Sequence, residues 1–171
     1  MELPGSSFTL RPWRWEDAEP LLFHADNPRV AANLGDLFPS PYTLADAHEW
    51  LRARAADIPP YAMFAIDVDG NAVGGIGVIL NEGPKRIAAE LGYWIGETYW
   101  GRGIGSEAVR LVRDYAFETF ALRRIEARVY PWNPKSVQVL KKNGFVFETR
   151  LRNIQLKGGV PVDMLLYAVV R

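Results

Sequence analysis

The chain has no cysteine, only two histidines, and no excess of either charge, since 20 basic residues balance 20 acidic ones. Without cysteine there is no disulfide framework, no thiol nucleophile and no thiolate metal ligand. His24 and His48 alone cannot supply the four-ligand set of a structural zinc site, so no metal is expected. A balanced charge leaves no electrostatic footprint for a polyanion, so no nucleic-acid partner is expected. No apolar run approaches the roughly 20 residues of a membrane span. Residues Met1 to Ser7 lack the basic and long apolar regions of a secretory signal, which sets the expectation of a cytoplasmic protein away from membranes.

What the chain does have is apolar residues, 49% of 171, ample for one full core. A single domain over 1–171, with its core from 8 to 170, is expected. Phe8 to Trp13 reads as a strand with Pro12 at its end. A short helix from Glu16 or Asp17 runs through Leu21, Leu22 and Phe23, until Asp26-Asn27-Pro28 breaks it. Thr43 and Asp46 form a capping-box pattern ahead of a helix with Leu44, Ala47, Trp50 and Leu51 on one face. Pro59-Pro60 ends this section. Strands over 61–68 and 72–80 flank Asp69-Gly70, a strong hairpin signal.

A strand over Ile87–Ile95 precedes a helix over Ser106–Phe120, whose apolar residues on nearly all sides predict burial all round. Arg124–Tyr130 alternates as a strand. Pro134–Lys142 reads as a short helix, stopped by Asn143-Gly144 in a left-handed cap. Strands over Phe145–Arg152 and Asp163–Val170 are joined through Gly158-Gly159. The order predicts an α/β domain with a mixed, mainly antiparallel sheet.

The most informative segment is Tyr99-Trp100-Gly101-Arg102-Gly103-Ile104-Gly105-Ser106, where strand passes to helix. Three alternating glycines at a helix start can bring several N–H groups to one anion, helped by the helix dipole. A tight turn without a ligand is the alternative. A Walker A loop needs a lysine that Gly105-Ser106-Glu107 lacks. A dinucleotide fingerprint needs other glycine spacing and an acidic residue where Tyr130 ends the next strand.

These residues resemble the GNAT N-acetyltransferases, specifically the RimJ/RimL-like branch, from Phe8 to Val170. The resemblance rests on Leu10-Arg11-Pro12 with Glu16-Asp17-Ala18, on Glu90-Leu91-Gly92-Tyr93-Trp94-Ile95, and on Trp100 through Ala108. Asn133-Pro134-Lys135-Ser136 and Lys142-Asn143-Gly144-Phe145 complete it. The resemblance implies a GNAT fold of about seven strands flanked by about four helices, with acetyl-CoA as cosubstrate. It implies that the amides of Gly101, Arg102, Gly103, Ile104, Gly105 and Ser106 hold the pyrophosphate. Tyr93, Trp94 and Ile95 would pair with the pantetheine arm, and a bulge there would free an N–H to polarise the thioester. Asn133 would contact the CoA arm besides capping its helix, and Ser136 would protonate the leaving thiolate. Trp100 stands where the wider family has Arg or Gln, as is frequent in this branch. Lys141 or Lys142 is a candidate for the 3′-phosphate.

The reaction so implied is acetyl transfer to a primary amine, with a protein or peptide α-amine as the leading acceptor. A small-molecule amine, or a CoA-binding sensor without activity, is the alternative. Deprotonating an α-amine of pKa near 8 costs about 1.4 kcal/mol at pH 7, against about 4.6 for a lysine. Ribosomal-protein acetyltransferases of the branch carry a glutamate base nineteen positions after the serine, and here Gln155 stands there. Glu90 is the substitute base, with a structural pair to Arg128 as the alternative; Glu97, Glu148 and His24 are weaker candidates. Some of Phe38, Tyr42 and Trp50 are expected to line the acceptor cleft. Homodimers are common in the branch.

Overall fold

The computed structural model describes residues 1–57 and 62–171, so Pro59-Pro60 and the strand start at Tyr61 lie outside the described residues. The elements are β1 (Leu3–Pro4), β2 (Thr9–Arg11), α1 (Ala18–Ala25), α2 (Pro28–Ala31), α3 (Leu44–Arg54), β3 (Met63–Val68) and β4 (Asn71–Leu80). They continue with β5 (Ala88–Ile95), α4 (Ile104–Thr119), β6 (Arg124–Val129), α5 (Pro134–Lys142), β7 (Val146–Lys157) and β8 (Val160–Val170). The sheet order is β1-β2-β3-β4-β5-β6-β8-β7. All neighbours run antiparallel except β5 and β6.

Local chemistry sets most boundaries. Asp69 and Gly70 have φ of 52° and 85°, the paired positive values of a tight hairpin turn. Thr43 and Asp46 close the capping box at the start of α3. Asn27, read as part of a break, instead caps α2 by accepting from the Arg29 N–H. Helix α4 starts two residues before the expected position, because Gly103 at φ 82° turns the chain directly into it. It is not buried all round: Ile104, Ala108, Val109, Val112, Tyr115 and Ala116 form one buried stripe, while Arg110 faces solvent. Strand β7 extends past the expected Arg152 because a register shift, with Asn153 at φ 48°, lets pairing with β8 resume at Gln155.

The main core lies between the sheet and α4 and α5, with Phe64, Ile66, Val73, Val112, Ile125 and Leu140 at its centre. A second core on the other face packs Leu21, Tyr42 and Leu51 with Trp13, Phe38, Trp50 and Trp94. Arg11, 2% exposed, ties the first strands to α1. It gives Asp17 two hydrogen bonds of 2.8 Å and Asp67 one of 2.5 Å.

One irregularity positions the site. Parallel strands β5 and β6 pair only at Ala88↔Arg124, Ala89↔Ile125 and Glu90↔Glu126. Beyond Glu90, β5 pairs with β4 alone and β6 with β8 alone, so the centre of the sheet splays open.

Candidate active site

The splay opens into a cleft of about 730 Å³. Bonds from Gly96 N to Val73 O (2.8 Å) and from Asn81 N to Ala88 O (3.3 Å) fix the phase of β5. With the antiparallel register, the even-numbered residues bond to β4, while Leu91, Tyr93 and Ile95 turn their backbone groups toward the cleft. An extended ligand can add there as a strand would. The expected bulge is absent: the register from Leu80↔Ala89 to Gly74↔Ile95 is unbroken. The free N–H groups come from the splay itself.

Beside this edge lies the glycine loop. Gly101 and Gly103 have φ of 78° and 82°, and a Cβ on either would meet no protein atom within 4 Å. The space they leave is therefore open to a ligand. The first N–H groups of helix α4, those of Ile104, Gly105 and Ser106, precede its first helical bond, from Glu107 N to Gly103 O, and have no intrahelical partner. Free amides at the N-terminus of a 16-residue helix suit a phosphate group. Gly105 packs on β5, where a Cβ would lie 3.2 Å from Ile95 and 3.5 Å from Tyr93. Arg102 does not line the cleft; its guanidinium sits over the Tyr99 ring. Trp100 staples loop to strand by donating its indole N–H to Ile95 O at 2.7 Å. Arg29 and Lys135 also lie 5.7 and 5.4 Å from that ring.

Helix α5 forms the facing wall. Asn133 caps it by accepting from the Ser136 N–H at 3.2 Å. Tyr93 donates its O–H to Ser136 Oγ at 3.1 Å, a contact that alternation along a strand cannot reveal. Burial pushes the Tyr93 pKa up, more than the Ser136 bond lowers it, so the phenol stays a donor. Ser136 thus has its oxygen held and its own proton free for the cleft. Buried Asn143 joins α5 to α4 by donating to Ser106 O (3.0 Å) and Ser106 Oγ (3.3 Å).

The carboxylates separate clearly. Among the described residues, Glu90 alone of the Asp and Glu side chains lines the cleft. Burial raises its pKa; Arg128, 3.5 Å away, opposes the rise and Glu126 reinforces it. The pair with Arg128 expected as the structural alternative is present, and Glu90 also faces the cleft with a raised pKa. Glu97 is held by Arg29 and Asn27. Glu148 is held by both Arg124 amines. His24 packs against Tyr99 and Gly96, and burial lowers its pKa.

Of the remaining candidates from the sequence, Ser136, Tyr93, Trp94, Ile95, Gly101, Gly103, Ile104, Gly105, Ser106 and Asn133 line the cleft. Lys142 lines it and Lys141 does not. Phe38, Tyr42 and Trp50 do not line it: they fill the second core, Phe38 packing 5.6 Å from Trp94. Their place at the cleft is taken by Val30, Asn33, Leu34, Tyr130 and Met164, which the sequence did not mark as site residues, together with Gln155, which it did. No local pattern brings these together; only the packing of the loop after α2 against the β7–β8 hairpin does.

A splayed central sheet, an open strand edge and an amide-lined glycine loop together suit a ligand with an extended arm and a phosphate group. The family follows from the sequence: the acetyltransferase (GNAT) domain model matches residues 7–146, and the chain belongs to that family. It is an acetyl-CoA-dependent N-acetyltransferase. It is 28% identical to the uncharacterized N-acetyltransferase p20 of Bacillus licheniformis, over 95% of this chain and 92% of that one. It is 33% identical to the ribosomal-protein-serine acetyltransferase of Escherichia coli (strain K12), over 62% of this chain and 59% of that one. Among solved structures, Mycobacterium smegmatis RimJ in complex with CoA-disulfide superposes with a TM-score of 0.83 at 28% identity, covering 95% of this chain and 81% of that one.

Proposed function

We propose that the protein acetylates the α-amine of a protein or peptide N-terminus. The observation that carries this is the scarcity of acid in the cleft, where Glu90 is the one lining carboxylate among the described residues and is shared with Arg128. A single shared base suits an α-amine, whose deprotonation costs about 1.4 kcal/mol at pH 7. A lysine, at about 4.6 kcal/mol, or a polyamine calls for more acid. The name of the Escherichia coli relative, a ribosomal-protein-serine acetyltransferase, supports a protein acceptor. Such an acceptor places the work in the cytoplasm.

In this reading the amides of Gly101, Arg102, Gly103, Ile104, Gly105 and Ser106 hold the pyrophosphate of acetyl-CoA. The open edge at Tyr93, Trp94 and Ile95 holds the pantetheine arm, with Asn133 opposite. Acetyl-CoA supplies the acetyl group as an activated thioester. Glu90 takes the proton of the attacking amine, and its burial makes it a stronger base than an exposed carboxylate. An unpaired N–H of β5 stabilises charge on the carbonyl oxygen, a role worth about 3–4 kcal/mol in other enzymes. Ser136, held by Tyr93, gives its proton to the departing thiolate.

The test is CoA release measured with acetyl-CoA and a panel of peptides with free N-termini, their lysine-bearing but N-terminally blocked counterparts, and spermidine. Acetyl located on the α-amine by mass spectrometry is the expected result. Preferential turnover of the blocked peptides or spermidine would overturn it. Tight acetyl-CoA binding without release to any amine would mark an inactive sensor.

A further inference from the structure

Part of the cleft wall is built from a loop held both by neighbouring residues and by residues distant in sequence. Residues 31–36, just after the short helix α2, contribute Asn33, Leu34 and Gly35 to the lining. Within the loop region, the Asn33 and Leu34 N–H groups reach back to Val30 O and Ala31 O at 3.1 Å each. The Ala32 N–H and the Asn33 side-chain amide also donate to Pro28 O (2.9 Å) and Arg29 O (3.3 Å), and Gly35 O accepts from the Phe38 N–H at 2.9 Å. The remaining fixings come from more than 90 residues away in sequence, among them the Tyr130 O–H, 3.5 Å from Leu34 O. Lys157, at the end of β7, donates to Leu34 O at 2.7 Å and to Ala31 O at 3.0 Å. The same ammonium lies 3.2 Å from Asp36. The next residue, Gly158, donates its N–H to Asp36 Oδ2 at 2.8 Å, and this bond with the Lys157 contact holds the Asp36 pKa below its ordinary value. Trp132 adds its indole N–H to Ala32 O at 3.2 Å.

The hairpin is aimed at this loop by its own irregularity. The register of β7 against β8 shifts between Leu151 and Gln155, with Asn153 left-handed at φ 48° and its N–H bonded to Asp163 at 2.9 Å. A bulge bends a strand and re-aims the residues beyond it. Beyond this one lie Gln155, which lines the cleft, and then Lys157.

We propose that Lys157 is a specificity-determining positioning residue: it latches loop 31–36 to the tip of the β7–β8 hairpin and so sets the shape of the acceptor end of the cleft. This rests on the α-amine reading above in placing the acceptor beside that loop. Two backbone carbonyls and a carboxylate converge on one ammonium, which is the full donor capacity of a lysine. Charge-assisted bonds of this kind are the stronger ones. A loop held in this way presents Leu34 at a fixed position facing Gln155 and Met164; released, it would accept amines with less discrimination.

The test compares wild type with Lys157→Met and Lys157→Arg, using acetyl-CoA binding by calorimetry, peptide kinetics and hydrogen exchange. Lys157→Met should raise the acceptor-peptide KM by about tenfold, the scale of one charge-assisted hydrogen bond. Acetyl-CoA affinity should stay within about twofold, because none of the groups that Lys157 bonds belongs to the glycine loop. Exchange at the Asn33 and Leu34 amides should accelerate, and Lys157→Arg should restore part of both effects. An unchanged peptide KM, or an equal loss of acetyl-CoA affinity, overturns the proposal. If wild type turns over no peptide, it is the acceptor class that has failed; exchange then decides the latch, and unchanged protection in Lys157→Met rejects it.

Discussion

At the scale of single residues, the site is governed by one glycine and one carboxylate. Gly103 has positive φ, and a side chain there meets open space rather than protein. Gly103→Val should therefore cost only backbone strain, about 1–2 kcal/mol, while filling the space beside the free amides. Calorimetry is expected to show acetyl-CoA binding reduced below detection with the circular-dichroism spectrum retained. Unchanged affinity would remove the pyrophosphate from this loop. Glu90 carries the second prediction. If it takes the amine proton, Glu90→Gln should lower kcat at neutral pH by about 10²-fold or more. The loss should shrink at high pH, where the amine deprotonates unaided. A pH–rate profile parallel to wild type would leave Glu90 with only its structural bond to Arg128. The sequence named both residues because each sits in a local pattern, the glycine turn and the strand alternation. It could not name Tyr93 as the partner of Ser136, since 43 positions separate them and only the facing of β5 and α5 joins them.

At the scale of elements, α4 and α5 act as a pair. Asn143 ends α5, is 4% exposed, and donates to Ser106 O, Ser106 Oγ and Val139 O. Its bonds hold the first turn of α4, the turn that offers its amides to the cleft. Asn143→Ala should destabilise the protein by about 1–3 kcal/mol, the cost of leaving buried acceptors unsatisfied. It should also weaken acetyl-CoA binding, which thermal melts with and without acetyl-CoA would separate. An unaltered melting temperature would show the link to be incidental. Asn143-Gly144 was legible as a helix stop, with Gly144 at φ 79° as the left-handed residue. The cross-link was not, because capping is written in adjacent residues and packing is not. The same reason explains α4: its composition implied burial on every side, yet the sheet offers it one face to cover.

At the scale of the whole molecule, stability and charge burial meet in Arg11 and Glu90. Arg11 is almost fully buried between Asp17 and Asp67. Removing one partner of such a group costs about 3–5 kcal/mol, because the charge left behind is uncompensated. Asp17→Ala should therefore lower Tm by about 6–12 °C or more at this size; a drop under about 2 °C would mean that Asp67 suffices. Glu90 gives the opposite sign. Its pKa is raised in the fold, so its contribution is complete at pH below the ordinary carboxylate value and is lost as pH rises through the folded value. The Tm of Glu90→Gln relative to wild type should accordingly rise between pH 4 and pH 7. A difference that falls over that range would show the Arg128 attraction to outweigh burial.

The sequence by itself determined the fold class and the family, and marked the glycine loop that lines part of the cleft. Those features are carried by short contiguous patterns: apolar alternation, capping residues, and glycines that alone tolerate positive φ beside a close ligand. The tertiary structure decided the rest. Tryptophans and tyrosines that composition could assign to either cleft or core went to a second core, because Trp94 on the far face of β5 offered them apolar surface. Part of the cleft wall came instead from loop 31–36, joined to a bulged hairpin more than 100 residues later by Lys157 and Gly158. Such contacts depend on how sheet twist and register bring distant segments together, which one-dimensional spacing does not encode.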